Sequence, residues 1–229
     1  SERFIPERLS QDMDNTVTLD KEGTYALDLY RPLQGATYNT ICLPFDLDLN
    51  TLTTPHKLYG AEAMEFTGVS TPLVGNETVL TLNFEKVDQM IAGIPYIIYV
   101  ENHVRGLIEF DQITMSNTDP QYIKDRSSSV TYTGVYNPTK IGEGYTILVD
   151  QNRLANVTTA GTLSGFRGYF TIPESLRSLK AMISTKHDTP TGLEDMNITE
   201  RTYQKFLREG RVYIRMGEYL YTVDGQLVK

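Results

Sequence analysis

The sequence predicts an all-β fold, an antiparallel β-sandwich followed by a small C-terminal three-stranded meander. Apolar and polar residues alternate with a period of two along most of the chain, which is the pattern of half-buried strands. The alternating segments recur at roughly 10-residue spacing with turn residues between them, as in sandwich folds. The 229 residues include 15 tyrosines and no tryptophan, and tyrosine suits a pleated surface better than a helix.

The first predicted strands are Thr16–Leu19 and the alternating segment Tyr25–Tyr30. Tyr38–Phe45 follows, with a centre apolar enough for a buried strand and with Pro44 expected at its end. Ile94–Val100 is the most strongly β-forming segment of the chain. The remaining predicted strands are Leu58–Tyr59, Met64–Val69, Thr78–Phe84, Leu107–Phe110, Ser129–Val135, Tyr145–Val149, Gly168–Ile172 and Ala181–Ile183.

Helical signals are sparse. Glu85–Ala92 is compatible with a short helix closed by Gly93, and Glu174–Leu179 with a helical turn after Pro173. Neither segment reaches the ~12 residues that a helix needs for stability of its own.

The sequence divides into a β-sandwich domain at 1–185, a polar linker at 186–192 and a small β-meander at 193–229. Ile198–Leu207 is expected to be irregular, and the meander strands are predicted at Arg211–Arg215, Glu218–Val223 and Gln226–Lys229. Three such short strands bury too little apolar surface to be stable alone. We therefore expect the meander to dock on the main domain, on a partner or on another copy of the chain.

Composition excludes several classes of protein. The net charge of −8 and the absence of a basic stripe argue against nucleic-acid binding. No apolar run approaches the ~20 residues of a membrane-spanning helix. The single cysteine, Cys42, excludes an internal disulfide framework. Ser1 follows no export signal, so we expect a mature or excised chain whose signal has been removed.

Three segments occur in an order that resembles a known family: NTICLPF (Asn39–Phe45), AGIPYII (Ala92–Ile98) and FRGYF (Phe166–Phe170). They are similar to the TLCLPF, AGKPYII and FRAYF strands in the C-terminal β-rich modules of large surface proteins from Bacteroides and Prevotella. Ile94 and Gly168 depart from that pattern, which more often has Lys and Ala there.

The end of the chain also resembles these proteins. Their short C-terminal extension, often compared with sorting domains, is similar to Thr191–Glu194, Gly210–Ile214 and Tyr221–Val228. The resemblance implies export, a cell-surface, outer-membrane-associated or secreted location, and a β-sandwich. It implies no catalytic residue.

Candidate nucleophiles and metal ligands are few. His56, His103 and His187 are far apart and lack metal-ligand spacing, so we expect them in surface loops. Cys42 is expected to be a buried thiol that behaves as a small hydrophobe. Ser164 lacks the flanking glycines of a hydrolase elbow, and Gly142-Glu143-Gly144 lacks the rest of a phosphate loop. We therefore predict no catalytic residue, no metal site and no cofactor.

Acidic residues leave two alternatives open. A carboxylate pair for glycoside hydrolysis needs only two acids across a cleft, and the candidates are Glu62, Glu65, Glu101, Glu109 and Asp111. Asp46–Asn50 begins like a calcium loop, but Thr51 and Lys57 stand where glycine and glutamate are required; Asp12–Asn15 is similarly incomplete. We expect Phe45, Leu47 and Leu49 to point inward and the acids to be solvated.

These observations favour a non-catalytic cell-surface or secreted module that acts in binding or adhesion, or as an accessory domain of a larger exported protein. The first alternative is a carbohydrate-binding module, because sugar rings stack on aromatic faces; the second is a hydrolase with a carboxylate pair. Extracellular glycan and protein are both open as partners. The candidate platforms are Tyr30, Tyr38, Tyr122, Tyr132, Tyr136, Tyr219 and Tyr221.

Overall fold

The computed structural model describes residues 5–149 and 152–185, together with the backbone of three strands further on. The described strands are β1 (Glu7–Ser10), β2 (Gly23–Tyr30), β3 (Thr37–Cys42), β4 (Leu47–Asp48), β5 (Glu62–Ser70), β6 (Leu73–Val74), β7 (Glu77–Val87), β8 (Gln89–Met90), β9 (Pro95–Val100), β10 (Leu107–Met115), β11 (Tyr122–Lys124), β12 (Thr131–Val135), β13 (Thr139–Ile141), β14 (Tyr145–Val149), β15 (Arg153–Asn156), β16 (Gly161–Leu163), β17 (Arg167–Thr171), β18 (Lys180–Thr185), β19 (Tyr203–Arg208), β20 (Arg211–Met216) and β21 (Tyr219–Thr222). The described helices are α1 (Thr16–Leu19) and α2 (Glu174–Arg177), with a 3₁₀ turn at Leu49–Thr51.

The all-β prediction is confirmed. An eleven-stranded sheet runs in the order β11-β12-β17-β14-β15-β18-β7-β5-β9-β3, with β6 paired to β7. A three-stranded sheet has the order β1-β2-β10. Most pairs are antiparallel as predicted, but β1 runs parallel to β2 and β18 runs parallel to β7.

Strand β9 lies between two hydrophobic cores. Tyr96 and Ile98 belong to the first core, which also holds Leu27 and Phe110 from the three-stranded sheet. Ile97 points the other way and joins the second core. Apart from the half-buried Tyr99, both faces of Pro95–Val100 are covered, which is why the segment is almost continuously apolar rather than alternating.

The second core forms because the large sheet curls upon itself. It brings Phe66 and Phe84 from one half of the sheet against Tyr132 and Phe170 from the other. The rings of Tyr132 and Phe170 are stacked with their centroids 4.3 Å apart, and the Tyr132 hydroxyl donates to the Tyr96 carbonyl at 2.7 Å. Each ring is therefore fixed by several neighbours.

A third, smaller core covers the outer face of β14. Leu148 faces the second core, whereas Ile147 and Val149 face this third cluster under the antiparallel pair β13 and β16. Successive side chains along Tyr145–Val149 therefore point alternately into two different apolar cores.

The curl brings the edge strand β3 to β17. The Cys42 backbone N–H donates to the Phe166 carbonyl at 3.4 Å, and the fully buried Arg31 donates from Nε to the same carbonyl at 3.1 Å. Arg31 also donates to the carbonyls of Pro32 and Thr40. Its guanidinium therefore satisfies backbone acceptors where the two strands meet without a regular ladder.

The predictions for Thr16–Leu19 and Glu85–Ala92 were wrong. Thr16–Leu19 forms α1 rather than a strand, because the Asp14 carboxylate accepts from the Thr16 backbone N–H and hydroxyl at 3.0 and 2.6 Å and starts a turn. Glu85–Ala92 is not a helix: β7 continues to Val87 and β8 follows. Pairing with β5 overrides the local helical propensity there.

Other predictions had mixed outcomes. The helical turn after Pro173 is confirmed as α2, and β3 ends before Pro44 as expected. Leu58–Tyr59 lies in a turn rather than a strand, with Leu58 buried.

The tail contains an antiparallel sheet in the order β19-β20-β21. Its first strand, Tyr203–Arg208, falls in the segment expected to be irregular, so that expectation was wrong. The strands predicted around Arg211–Arg215 and Glu218–Val223 are present as β20 and β21. The linker at 186–192 and the strand predicted at Gln226–Lys229 lie outside the described residues.

Candidate functional site

The histidines with described positions do not converge. His103 is exposed, and its Nδ1 accepts from the Gly35 N–H at 3.1 Å. His56 lies in a turn, but it is half-buried with its ring 5.1 Å from that of Phe110. Its Nδ1 accepts from the Leu58 N–H at 3.1 Å, and burial lowers the pKa of its imidazole. His187 lies outside the described residues.

Cys42 is a core residue. Its side chain is fully buried, its thiol donates to the Gly93 carbonyl at 3.3 Å, and burial raises the pKa of the thiol far above its ordinary value. A thiol that stays protonated is a poor nucleophile. This geometry agrees with the prediction that Cys42 is a buried thiol that behaves as a small hydrophobic residue.

The loop that resembles the start of a calcium site is used for structure. The Asp46 carboxylate accepts from the Ala92 N–H at 2.8 Å, and the Asp48 carboxylate accepts from the Asn50 N–H at 2.9 Å. Phe45 and Leu47 are buried as predicted. No group of three or more potential metal-ligating side chains occurs in the part of the chain that the structure describes.

Ser164 and Gly142–Gly144 lie between strands. Ser164 follows β16, and Gly142–Gly144 joins β13 to β14. Neither segment leads into a helix, which is the context that a nucleophile elbow or a phosphate loop requires.

The candidate tyrosines separate by burial. Tyr132 and Tyr136 are buried and cannot present a ring face to a ligand. Tyr122 is 66% exposed on the edge strand β11, and Tyr30 and Tyr38 are half-buried. The side chains of Tyr219 and Tyr221 lie outside the described residues.

Three of the sequence candidates come together around Tyr99. In the strand register, Glu62 of β5 is directly opposite Tyr99 of β9, and Tyr99 is opposite Tyr38 of β3. The rings of Tyr38 and Tyr99 meet edge to face with centroids 5.7 Å apart. Glu101 lies two residues further along β9's direction, and the Tyr99 hydroxyl donates to its carboxylate at 3.4 Å. We call Tyr38, Tyr99, Glu62 and Glu101 the tyrosine–glutamate row.

The row is polar and partly solvated. Lys86 of β7 forms an ion pair with Glu62 at 3.1 Å, and the Tyr38 backbone N–H donates to the Asn152 side chain at 2.8 Å. Desolvation, together with the negative charges of Glu101 and Glu62, raises the pKa of Tyr99. The phenol therefore remains protonated and is a hydrogen-bond donor at physiological pH.

The other acidic candidates lie elsewhere. Glu109 and Asp111 are exposed on β10, where Glu109 is opposite Asp28 of β2. Glu65 is opposite Tyr96. Because Glu65 is an odd number of residues from Glu62 along β5, its side chain projects to the other face of the strand. Glu62 and Glu101 are thus the candidate acids that share one surface around Tyr99.

A cleft of about 270 Å³ opens between α1 and two loops. Its floor includes the buried residues Pro44, Val135 and Tyr136. Polar groups surround this floor, and the lining residues are Thr16, Leu19, Asp20, Pro44, Asn117, Thr118, Asp119, Pro120, Val135, Tyr136, Asn137 and Thr139. We call this the α1 cleft.

Local and long-range hydrogen bonds fix the walls of the α1 cleft. The Asn15 backbone N–H donates to Asn137 Oδ1 at 2.7 Å, and its Nδ2 donates to the Ser10 and Met13 carbonyls, each at 2.9 Å. The Tyr136 hydroxyl donates to the Thr118 carbonyl at 2.7 Å. The sequence does not reveal this cleft, because its walls come from segments more than 100 positions apart.

Comparison with known proteins adds no assignment: no protein-family model, curated protein or solved structure shows significant similarity to this chain. Among the described residues, no helix has the length and apolarity needed to cross a bilayer.

Proposed function

We propose that this chain is a non-catalytic cell-surface or secreted module that acts in binding, as an accessory part of a larger exported bacterial protein. The tyrosine–glutamate row carries the proposal, because it combines aromatic surface with polar groups on a rigid sheet. Export and surface location are supported by the resemblance of the NTICLPF, AGIPYII and FRGYF segments to Bacteroides and Prevotella surface proteins.

Carbohydrate is the ligand class that the row favours. A sugar ring presents C–H groups that stack on an aromatic face, and its hydroxyls donate well to carboxylates. Tyr99 supplies a ring and a hydroxyl donor, and Glu62 and Glu101 supply acceptors on either side of it. Strand pairing fixes the backbones of Tyr99 and Glu62, and Glu101 directly follows β9, which limits the entropy lost on binding.

A glycan array tests this proposal. The wild-type chain is expected to bind a defined group of glycans, and Tyr99→Ala is expected to lose that binding. Tyr59→Ala is the matched control, because Tyr59 is also exposed and lies in the turn before β5, outside the row. An array on which no glycan binds, or on which both variants behave alike, would contradict the assignment of the row.

The alternative enzyme function is a glycoside hydrolase that uses Glu62 and Glu101 as its carboxylate pair. The Glu62 carboxylate is already engaged in an ion pair with Lys86 at 3.1 Å, so it would have to leave this partner to act on a glycosidic oxygen. A broad panel of chromogenic glycosides is expected to yield no product. Release that is lost in both Glu62→Gln and Glu101→Gln would replace the binding proposal with the hydrolase.

A further inference from the structure

The α1 cleft has a composition different from that of the tyrosine–glutamate row. Its charged lining residues are Asp20 and Asp119, and none of its lining residues is Lys, Arg or His. Apolar groups of Leu19, Pro44 and Pro120 lie in the same cleft. It therefore offers an apolar channel together with negative charge.

The cleft is formed before any ligand arrives. Asn15 and Asn137 connect α1 to the loop after β12, and the Tyr136 hydroxyl ties that loop to Thr118. Binding in such a cavity loses little free energy to the ordering of its walls. Its volume of about 270 Å³ lies just below the ~300–1,000 Å³ of pockets for drug-sized ligands. That space suits one long side chain.

Charge decides between the ligand classes. A neutral ligand would partly desolvate both carboxylates without compensating their charge, whereas a cation supplies charge-assisted hydrogen bonds. An aliphatic stem is needed to cover the apolar lining, and a lysine side chain combines a four-carbon stem with an ammonium group. Val17, which follows the lining residue Thr16 in α1, is exposed and provides apolar surface for the flanking peptide.

We propose that the α1 cleft is a second binding site, which takes a lysine side chain from an extended segment of a partner protein. The ammonium is held by Asp20 and Asp119, and the stem lies along Leu19, Pro44 and Pro120. This site does not depend on the tyrosine–glutamate row.

The test is a titration of the whole ¹⁵N-labelled chain with acetyl-Gly-Lys-Gly-amide, followed by NMR. The amides of Asn117, Thr118 and Thr139 are expected to shift. The same peptide with norleucine in place of lysine keeps the apolar stem without the charge, and it is expected to bind at least tenfold more weakly. Raising the salt concentration should weaken the lysine peptide because ions screen the carboxylates.

Variants make the assignment specific. Asp119→Asn is expected to weaken binding of the lysine peptide at least tenfold, and Asp88→Asn is the control because it removes the same charge from an exposed turn after β7. Tyr99→Ala should leave this titration unchanged, which separates failure of this site from failure of the row. Equal binding of the two peptides, no shift at the cleft amides, or shifts with methyl glucoside but not with the lysine peptide would each overturn the proposal.

Discussion

The backbone N–H of Asn15 donates to Oδ1 of Asn137 at 2.7 Å, although the two residues are 122 positions apart in the sequence. The Asn15 side chain also accepts from the Ser10 N–H through Oδ1 at 2.9 Å and donates through Nδ2 to the Tyr136 carbonyl at 3.3 Å, so one buried residue at the start of α1 connects β1 with the loop after β12. This contact shapes one wall of the α1 cleft and holds the N-terminal segment against the main sheet.

Replacing Asn15 should therefore destabilise the fold. Asn15→Ala leaves the Ser10 N–H and several carbonyls without their partner, and each lost buried hydrogen bond costs about 1–3 kcal/mol. We expect the free energy of unfolding in urea to fall by about 2–3 kcal/mol. Asn50→Ala, in the exposed 3₁₀ turn, is the control and should stay within about 0.5 kcal/mol of wild type. An equal loss of unfolding free energy in the two variants would contradict this structural role of Asn15.

A second prediction concerns Gly134 and Cys42. A methyl group at Gly134 would lie 2.4 Å from Cys42 Sγ and 3.2 Å from its Cβ. Gly134→Ala should thus overpack the core and lower the free energy of unfolding by about 1–3 kcal/mol. In the double variant with Cys42→Ala, the sulfur clash is gone while the Cβ contact remains. We expect partial rescue, so the two substitutions should couple favourably in a thermal double-mutant cycle. Additive effects would contradict this packing.

The departure from the family-like pattern at Gly168 has a similar physical cause. A Cβ at that position would lie 2.5 Å from Cε2 of Tyr132, whose ring is stacked on Phe170. Gly168→Ala should lower the melting temperature, because the buried Tyr132 ring has no space to move. Gly142→Ala is the control, because a Cβ at that position would lie 3.9 Å from the Ala160 Cβ, an ordinary van der Waals distance. A Gly168→Ala variant as stable as Gly142→Ala would show that this part of the core adapts.

His56 should make stability depend on pH. Burial lowers the pKa of His56 from 6.5, against smaller opposing contributions from the Glu109 backbone and Asp111. The unfolded chain therefore binds the proton more readily than the folded chain. The stability that the folded state gains from holding His56 neutral is fully present above about pH 6.5. It is lost as the pH falls through the lower pKa of the folded state.

Urea midpoints at pH 5 and pH 7.5 measure this effect. The wild-type chain should lose more stability at pH 5 than His56→Asn does, and His103→Asn should behave like wild type. If His56→Asn loses as much stability as wild type on acidification, another group is responsible.

The sequence predicts a strand correctly where the residue pattern of that segment alone is enough to indicate it. Pro95–Val100 is recognisable because both of its faces are buried except at the half-buried Tyr99. By contrast, β11, β13 and β16 have three residues each, too few for a period to be recognised. Glu7–Ser10 is extended because it pairs with β2, a long-range contact that local pattern cannot indicate.

The candidate site was predicted only as separate residues. Tyr38, Glu62 and Glu101 were selected by residue type, but their proximity depends on the register of β3, β5 and β9. Tyr99, at the centre, was not selected as a candidate because it lies in a largely apolar strand. Tyr132 and Tyr136 were selected for the same reason as Tyr38 and are buried, because an alternating pattern does not tell which face of a strand meets solvent.

Affinity electrophoresis through gels containing soluble plant, fungal and host polysaccharides tests the central claim most directly. The wild-type chain should be retarded by at least one polysaccharide, Tyr99→Ala should migrate as it does in a gel without polysaccharide, and Tyr59→Ala should be retarded like wild type. Unretarded wild-type protein in every gel, or equal retardation of wild type and Tyr99→Ala, would contradict the claim that the tyrosine–glutamate row binds glycans.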